Sequence, residues 1–267
     1  MRRVNMKIAI IAITAIALTG ATALYSKPQT RLAVADDRLA SIDNSTRPAA
    51  DIARDAARKP AEMVKFARIA PGQTVVDMIP GGGYFTRVFA QAVGPKGRVI
   101  AFVPESLVAR FPKALDGIKA LAAEPAYANV TVTAGNLSTI AAAGTVDRAW
   151  TSQNYHDLHN MKDNEGISLD LVGFNKAVFA ALKPGGLYIV LDHSAAKGSG
   201  LRDTQTLHRI DAAAVKAEVI AAGFKFDGES TVLANPADSR TLKVTDPSIR
   251  GHTDQFVLRF VKPRAKR

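Results

Sequence analysis

The stretch from residue 75 to residue 86 reads Val75-Val76-Asp77-Met78-Ile79-Pro80-Gly81-Gly82-Gly83-Tyr84-Phe85-Thr86. The apolar, β-branched segment Thr74–Ile79 is bounded by turn residues on both sides, which predicts a buried strand of a parallel sheet. Helical spacing follows from Tyr84 to Val93. Glycines between a strand and a helix let the backbone turn sharply and let a ligand approach where no Cβ interferes. The helix N-terminus adds free N–H groups, so the stretch predicts a ligand-binding unit.

Strands and helices alternate on both sides of this unit. The predicted helices are Pro48–Ala57, Ala61–Ala70, Ser106–Ala122, Leu169–Leu182 and Asp211–Ala222. The other predicted strands are Arg98–Val103, Val130–Ala134, Val146–Ser152, Leu187–Asp192, Ser230–Leu233 and Gln255–Val261. Alternation of this kind favours an α/β, doubly wound sheet, and the last two strands, which have no long helix between them, can be antiparallel.

Further motifs accompany Val75–Thr86, and they are Arg54-Asp55, Arg58-Lys59-Pro60, Pro71-Gly72, Gln153-Asn154-Tyr155-His156-Asp157, Lys183-Pro184-Gly185-Gly186, His208-Arg209-Ile210-Asp211 and Ala222-Gly223-Phe224. As a set, these motifs are fairly specific, and they resemble those of class I S-adenosylmethionine-dependent methyltransferases, and of a bacterial group of predicted methyltransferases with PGGGY at the glycine turn. The resemblance covers most of residues 24–267. It implies a Rossmann-like seven-stranded sheet in which a reversed seventh strand lies between strands five and six.

The resemblance also implies S-adenosylmethionine as the cofactor. The residues that it assigns to cofactor binding are Asp77, Pro80, Gly81, Gly82, Gly83, Tyr84, Glu105, Asn136, Gln153 and Asn154. Two positions depart from the family pattern: Ile79 replaces the first motif glycine, and Val103 replaces the acidic residue that holds the ribose hydroxyls. Glu105, two residues further on, can substitute for that acid, and Asn136 stands where the family commonly has an aspartate near the adenine.

Methyl transfer requires alignment of the acceptor and removal of one proton, because the sulfonium is already activated. Tyr155, His156, Asp157 and His159 follow the fourth strand, at the edge where the cofactor would lie. A histidine with an ordinary pKa near ~6.5 suits a general base. We therefore predict His156 as the base and Tyr155 as the residue that positions the acceptor.

Other roles for these residues stay open. His156 and Asp157 could form hydrogen bonds to a nearby loop and nothing more. A metal site of His156, Asp157 and His159 is disfavoured, because adjacent ligands without a distant partner rarely complete a site. On this basis we predict no metal.

Three further groups of polar residues have two interpretations each. Asp192 and His193 could line the acceptor pocket or cap a turn. The pair His208-Arg209 could close the pocket or form a structural salt bridge. The segment Arg54–Lys59 could cover the cofactor as a lid or present a solvated helix face.

The N-terminus predicts export. Arg2, Arg3 and Lys7 precede an apolar run from Ile8 to Leu18, and small residues follow at Ala21-Thr22-Ala23, which is typical of a signal peptide. We predict a signal peptide at 1–23, a linker at 24–46 and a methyltransferase-like domain at 47–267. The expected location is periplasmic or secreted, with an uncleaved inner-membrane anchor as the alternative.

Composition limits the chemistry. The chain of 267 residues contains no cysteine, which excludes disulfides, zinc–thiolate sites and thiol nucleophiles. Its formal net charge is +11, yet no basic element is interleaved with aromatic residues as in nucleic-acid binders. We expect a small-molecule substrate, no nucleic-acid partner, and membrane contact only through the signal segment; the oligomeric state stays open.

Two functional hypotheses follow. The first is an S-adenosylmethionine-dependent methyltransferase with a small-molecule acceptor. The second is an exported, non-catalytic ligand-binding protein with a degenerate methyltransferase fold, since this cofactor is made in the cytoplasm. A nicotinamide-dependent oxidoreductase fits less well, because His159 stands where the Tyr-x-x-x-Lys spacing from Tyr155 would require lysine.

Overall fold

A computed structural model of the protein describes residues 42, 44–137, 140–161 and 170–264. The predicted signal peptide and nearly all of the predicted linker lie outside these residues. Within the described part of the chain, no helix is both long enough and apolar enough to cross a bilayer.

The described strands form one seven-stranded sheet in the order β3-β2-β1-β4-β5-β7-β6. Their bounds are β1 Thr74–Met78, β2 Arg98–Pro104, β3 Val130–Gly135, β4 Val146–Ser152, β5 Leu182–His193, β6 Lys225–Ser230 and β7 Gln255–Val261. Strands β1 to β5 are parallel, and β7 is antiparallel to both of its neighbours, β5 and β6. This arrangement confirms the predicted α/β doubly wound fold with a reversed strand inserted near the C-terminus.

Helices cover both faces of the sheet. The described α-helices are α1 Ala49–Ile52, α2 Asp55–Arg58, α3 Pro60–Phe66, α4 Tyr84–Val93, α5 Glu105–Arg110, α6 Asp116–Ala123, α7 Tyr155–Leu158, α8 Leu171–Ala181 and α9 Ala212–Ala221. Side chains of α3, α4 and α6 pack on one face with Val75 and Trp150. Side chains of α8 and α9 pack on the other face with Val76 and Tyr188. Neighbouring residues of β1 thus belong to two different cores, as the period of two in a strand requires.

Proline accounts for two of the helix boundaries. The predicted helix 106–122 is divided into α5, a 3₁₀ turn at Pro112–Leu115, and α6, because proline lacks the N–H that a continuous helix needs. The predicted helix 48–57 is also divided, into α1 and α2, but no proline lies at this division. The expected interruption at Lys59-Pro60 is present: Lys59 has φ +47°, and Pro60 is the first residue of α3.

The prediction of a strand at Ser230–Leu233 was wrong. Strand β6 ends at Ser230, and a turn follows in which the N–H of Ala234 donates to the carbonyl of Thr231 at 2.9 Å. Strand β6 lies at the edge of the sheet, where most of its side chains are at least partly exposed. A polar segment therefore forms the strand, while the more apolar residues after it form the turn.

Strand β5 begins earlier than predicted. Leu182 pairs with Val146, the next pair is Leu187 with Arg148, and the register is irregular between them. The motif Lys183-Pro184-Gly185-Gly186, which precedes the predicted strand, is thus an insertion within the β4–β5 pairing.

Candidate functional site

The glycine turn connects the carboxyl end of β1 to the N-terminus of α4, and its glycines have different surroundings. A Cβ added at Gly83 would lie 2.5 Å from Cδ1 of Leu121, so this glycine lets α6 pack against the turn. Gly81 has φ +56°, and a Cβ added there would meet no atom within 4 Å. Gly81 and Gly82 are exposed, which leaves the outer surface of the turn open to a ligand at the N-terminus of a ten-residue helix.

Ile79, which replaces the first motif glycine, has a left-handed backbone conformation. Its φ is +55°, a left-handed value that is a clear outlier for a β-branched residue and costs on the order of 1–3 kcal/mol. Its N–H donates to the carbonyl oxygen of Phe102 at 2.8 Å. The departure at Ile79 therefore introduces a side chain at a position where the backbone conformation favours glycine.

Asn154 links the glycine turn to the end of β4. Its Nδ2 donates to the carbonyl oxygens of Met78 at 3.1 Å and Ile79 at 3.2 Å, and its Oδ1 accepts a hydrogen bond from the Thr151 hydroxyl. The side chain is buried. Asn154, which we predicted to bind the cofactor, is occupied by the backbone of the turn.

Asp77 is buried beneath the turn. Its Oδ2 accepts a hydrogen bond of 2.7 Å from the hydroxyl of Thr86 in α4. Burial raises the pKa of the Asp77 carboxyl to about 7, against the opposing effects of this hydrogen bond and of the Arg58 charge. The carboxylate thus lies close to its point of ionisation at neutral pH.

The segment that contains α1 and α2 lies against Tyr84, the first residue of α4. The Tyr84 hydroxyl donates to Oδ1 of Asp55 at 2.6 Å, and the same carboxylate receives two hydrogen bonds from Arg47 at 2.6 and 2.7 Å. The guanidinium of Arg58 lies 4.5 Å from the Tyr84 ring centre, within the range of a cation–π contact. Asp55 and Arg58 therefore contact the residue that directly follows the glycine turn, which favours the interpretation of this segment as a cover.

Another arginine, Arg87, connects the glycine turn to α1. Arg87 in α4 donates to the carbonyl oxygen of Gly82 at 2.8 Å and to Oδ2 of Asp51 in α1 at 3.1 Å. Asp51 also accepts a hydrogen bond from Arg54 at 2.6 Å. The covering segment and the turn are thus joined through buried or partly buried charges.

The other predicted cofactor residues follow the neighbouring strands. Pro104 and Gly135 are register partners at the ends of β2 and β3, so Glu105 and Asn136 come directly after paired positions. Both side chains are exposed at the carboxyl edge of the sheet. Gln153 follows β4 with φ +58°, and its Nε2 donates to Oε1 of Gln255 at 3.0 Å.

The carboxyl ends of β4 and β5 hold a cluster of polar residues around His156. Nδ1 of His156 lies 2.7 Å from Oδ1 of Asp192, and the two side chains are almost completely buried. Asp192 also accepts hydrogen bonds from the backbone N–H groups of His156 at 2.8 Å and His193 at 2.7 Å. These contacts fix both the position of the carboxylate and the orientation of the imidazole.

The opposite edge of the His156 ring meets Asp157 and His208. Nε2 of His156 lies 3.3 Å from Oδ1 of Asp157 and 3.3 Å from Nδ1 of His208. Nδ1 of His208 in turn lies 3.0 Å from Oδ1 of Asp157. The side chains of Asp157 and His208 are 39% and 32% exposed, so these two residues form the open surface of the cluster.

Electrostatics change the role expected for His156. Burial alone would lower its pKa, but Asp192 and Asp157 outweigh that effect and raise the pKa to about 10. The expectation of an ordinary imidazole pKa is therefore wrong. His193 shows the opposite balance: burial lowers its pKa to about 4, and its Nδ1 lies 2.8 Å from the Thr253 hydroxyl.

Tyr155 and His159 lie apart from this cluster. The hydroxyl of Tyr155 donates to Glu218 at 2.8 Å and accepts from Asn175 at 2.8 Å, and its ring is fully buried. Nε2 of His159 lies 3.3 Å from Glu218. Sequence reasoning grouped His159 with His156 and Asp157, whereas the third member in space is His208, which is 52 positions away from His156.

Sequence comparison and structural comparison give different results. No protein-family model matches the chain, and no curated protein matches it. Solved structures with a similar fold include a SAM-dependent methyltransferase from Aquifex aeolicus, with TM-score 0.53 and 14% identity over 78% of this chain and 97% of that chain. A second, from Mesorhizobium loti, has TM-score 0.51 and 16% identity over 77% and 97% of the two chains.

A third similar structure is the [4+2]-cyclase SpnF, with TM-score 0.57 and 17% identity over 79% of this chain and 82% of that chain. At these identities the comparisons establish the fold, which is that of class I methyltransferases. They also show the same fold in a protein named for a different reaction.

Proposed function

We propose that the protein binds S-adenosylmethionine at the glycine turn and transfers its methyl group to a small-molecule acceptor. The observation that carries this proposal is the open surface at Gly81 and Gly82, between β1 and the N-terminus of α4, in a sheet with the methyltransferase strand order. We also propose that the chain belongs with the bacterial group that has PGGGY at this turn.

The residues around the turn fit such a cofactor. A side chain at Gly81 would project into the space that a ligand needs, and the first N–H groups of α4 face the same edge of the sheet. In this proposal Glu105 accepts hydrogen bonds from the ribose hydroxyls, and Asn136 pairs with the adenine edge. Tyr84, fixed by Asp55, holds the covering segment over the turn.

The acceptor lies at the cluster on β4 and β5. The cofactor supplies an activated methyl group, so the protein must orient the acceptor and take up one proton. Asp157 and His208 are the partly exposed members, and they are the groups that an acceptor meets. His156, held by Asp192, acts as the positioning residue of this pair. Tyr155 is occupied in the core, so we give it no contact with the acceptor.

The alternative is an exported binding protein without catalysis. It is supported by the loss of the acidic residue at Val103 and by the signal peptide that the sequence predicts. We propose that export places the mature protein in the periplasm or outside the cell. Export separates it from the cytoplasmic source of the cofactor.

Calorimetric titration with S-adenosylmethionine and S-adenosylhomocysteine tests the proposal. We expect dissociation constants in the micromolar range, about −8 kcal/mol. Absence of both binding heat and a thermal shift with either compound contradicts cofactor binding.

Turnover separates the enzyme from the binding protein. Transfer of label from methyl-labelled S-adenosylmethionine to small molecules of a cell extract is expected, and the His156→Ala variant should bind the cofactor normally while losing that transfer. Binding without any transfer by the wild-type protein favours the non-catalytic alternative.

A further inference from the structure

Three side chains at the carboxyl edge of the sheet direct their donor atoms at one point. They are His156 through Nε2, Asp157 through a carboxylate oxygen and His208 through Nδ1. We propose that these residues bind a divalent transition-metal ion. The proposal concerns cation binding alone and holds whether or not the protein transfers methyl groups.

The distances within this triad match those of a coordination sphere. The three donor atoms are separated by 3.3, 3.3 and 3.0 Å. Two ligand atoms that each lie ~2.1 Å from a metal are about 3.0 Å apart at a right angle and about 3.4 Å apart at the tetrahedral angle. All three separations fall within that interval, so one cation can contact all three atoms with small adjustments.

Asp192 provides an independent reason to regard His156 as a ligand. A metal-binding histidine usually donates its other ring N–H to a carboxylate or carbonyl, which fixes the tautomer and orients the ring. Oδ1 of Asp192 lies 2.7 Å from Nδ1 of His156, and the carboxylate is itself held by two backbone N–H groups. With Nδ1–H donated to Asp192, Nε2 is the ring nitrogen that faces the site, and a bound cation would displace its proton.

The backbone also holds His208 in place. Its φ of +55° is a left-handed value, which is uncommon for residues other than glycine and clusters at functional sites. The adjacent Arg209 is fully buried, with guanidinium contacts to the carbonyl oxygen of Ser194 at 3.0 Å, to the carbonyl oxygen of Leu242 at 2.9 Å and to Asp238 at 2.8 Å. The buried Arg209 side chain therefore anchors the loop that carries His208.

The donor set indicates the kind of cation. Two imidazole nitrogens and one carboxylate oxygen suit Zn²⁺, Fe²⁺, Mn²⁺ or Co²⁺ better than Mg²⁺ or Ca²⁺, which prefer oxygen ligands. Three protein ligands leave positions for water or a substrate oxygen, and the partial exposure of Asp157 and His208 puts those positions on the acceptor side. A cation there would lower the pKa of a bound hydroxyl, a role that rests on the proposed methyl transfer.

The test is calorimetric titration of the tag-free protein, stripped with EDTA, with Zn²⁺ and with Mn²⁺. We expect one equivalent of at least one cation to bind and to raise the thermal midpoint. His208→Ala and Asp157→Asn, at partly exposed positions where the fold should tolerate them, should weaken binding by at least tenfold. Asp192→Asn should weaken it by about ten- to a hundredfold, because it removes the support of His156.

The control is His252→Ala, which removes an exposed histidine that is not a member of the triad and should leave the affinity unchanged. Circular dichroism checks that each variant is folded. Equal affinity of the wild type, His208→Ala and Asp157→Asn overturns the site, as does the absence of binding by the wild type. Cofactor titration is read separately, so failure of S-adenosylmethionine binding with intact cation binding counts against the proposed function alone.

Discussion

The hydroxyl of Thr86 donates a 2.7 Å hydrogen bond to the carboxylate of Asp77, and both side chains are buried between β1 and α4. This hydrogen bond compensates only part of the loss of solvation. The pKa of Asp77 therefore lies at about 7, above its ordinary value of 3.8.

Replacement of Asp77 by asparagine should make stability less dependent on pH. Because the folded-state pKa is raised, the contribution of Asp77 to stability is complete below pH 3.8 and is lost as the pH rises through about 7. Between these pH values, the unfolding free energy of Asp77→Asn should rise relative to that of the wild type by up to about 1.4 kcal/mol per pH unit. At higher pH the difference between the two proteins should stay constant. Urea unfolding measures both free energies. Asp116→Asn, at an exposed position, is the control. A difference between Asp77→Asn and wild type that is the same at pH 5.5 and pH 8 would contradict the assignment.

Alanine substitutions at Gly83 and Gly82 should differ in their effect on stability. Gly83→Ala places a methyl group 2.5 Å from Leu121 and forces alanine into φ +81°, so we expect a loss of about 3 kcal/mol of unfolding free energy. Gly82→Ala has free space and no left-handed φ, so it should change stability by less than about 1 kcal/mol. Chemical denaturation measures both. Similar losses in the two variants would argue against the close contact with α6.

The stability of the covering segment, which contains α1 and α2, should depend on Asp55. The Arg47 side chain is fully buried against this carboxylate, so Asp55→Ala leaves a buried guanidinium without its partner and should cost about 3 kcal/mol. The double variant Arg47→Met, Asp55→Ala removes both charges and should recover part of that loss. A double-mutant cycle by urea unfolding measures the coupling between the two residues. Additive effects would show that the pair is not coupled.

Cofactor affinity should depend on Glu105. If its carboxylate accepts hydrogen bonds from the ribose hydroxyls, Glu105→Gln removes the charge and should weaken S-adenosylmethionine binding about tenfold. Glu124 is also exposed but follows α6 and precedes β3, at the other end of the strands. Glu124→Gln is therefore the matched control in calorimetry. Unchanged affinity in Glu105→Gln would assign the ribose to another residue.

The sequence pattern predicted the central part of the fold well, because buried parallel strands are short apolar runs between turn residues. Helix α4 and strands β4 and β7 have the predicted bounds. Strand β6 was misplaced because an edge strand needs little apolar character, and Pro112 divided a helix whose apolar spacing continued past it.

The candidate site could be predicted only as far as residues adjacent in the chain. The turn and the segment after β4 were predicted to bind the cofactor and the acceptor, but the grouping of His156 with His208 depends on a loop that returns to β4 after 52 positions. The sequence also did not indicate that the Tyr155 side chain would be buried in the core, or that Asp192 would raise the pKa of His156. The signal that could have found His208 was its place in the motif His208-Arg209, for which closure of the pocket was one of the two interpretations.

Asn154 connects the two halves of the carboxyl edge, which are the glycine turn and the polar cluster around His156. Its side chain holds the carbonyl oxygens that end β1, and the residue itself immediately precedes the helix that carries His156. A ligand that displaces the turn should shift Asn154 through these hydrogen bonds, and with it the start of the helix that carries His156. Occupancy of one half should therefore alter affinity at the other by a coupling free energy that is the same in both directions.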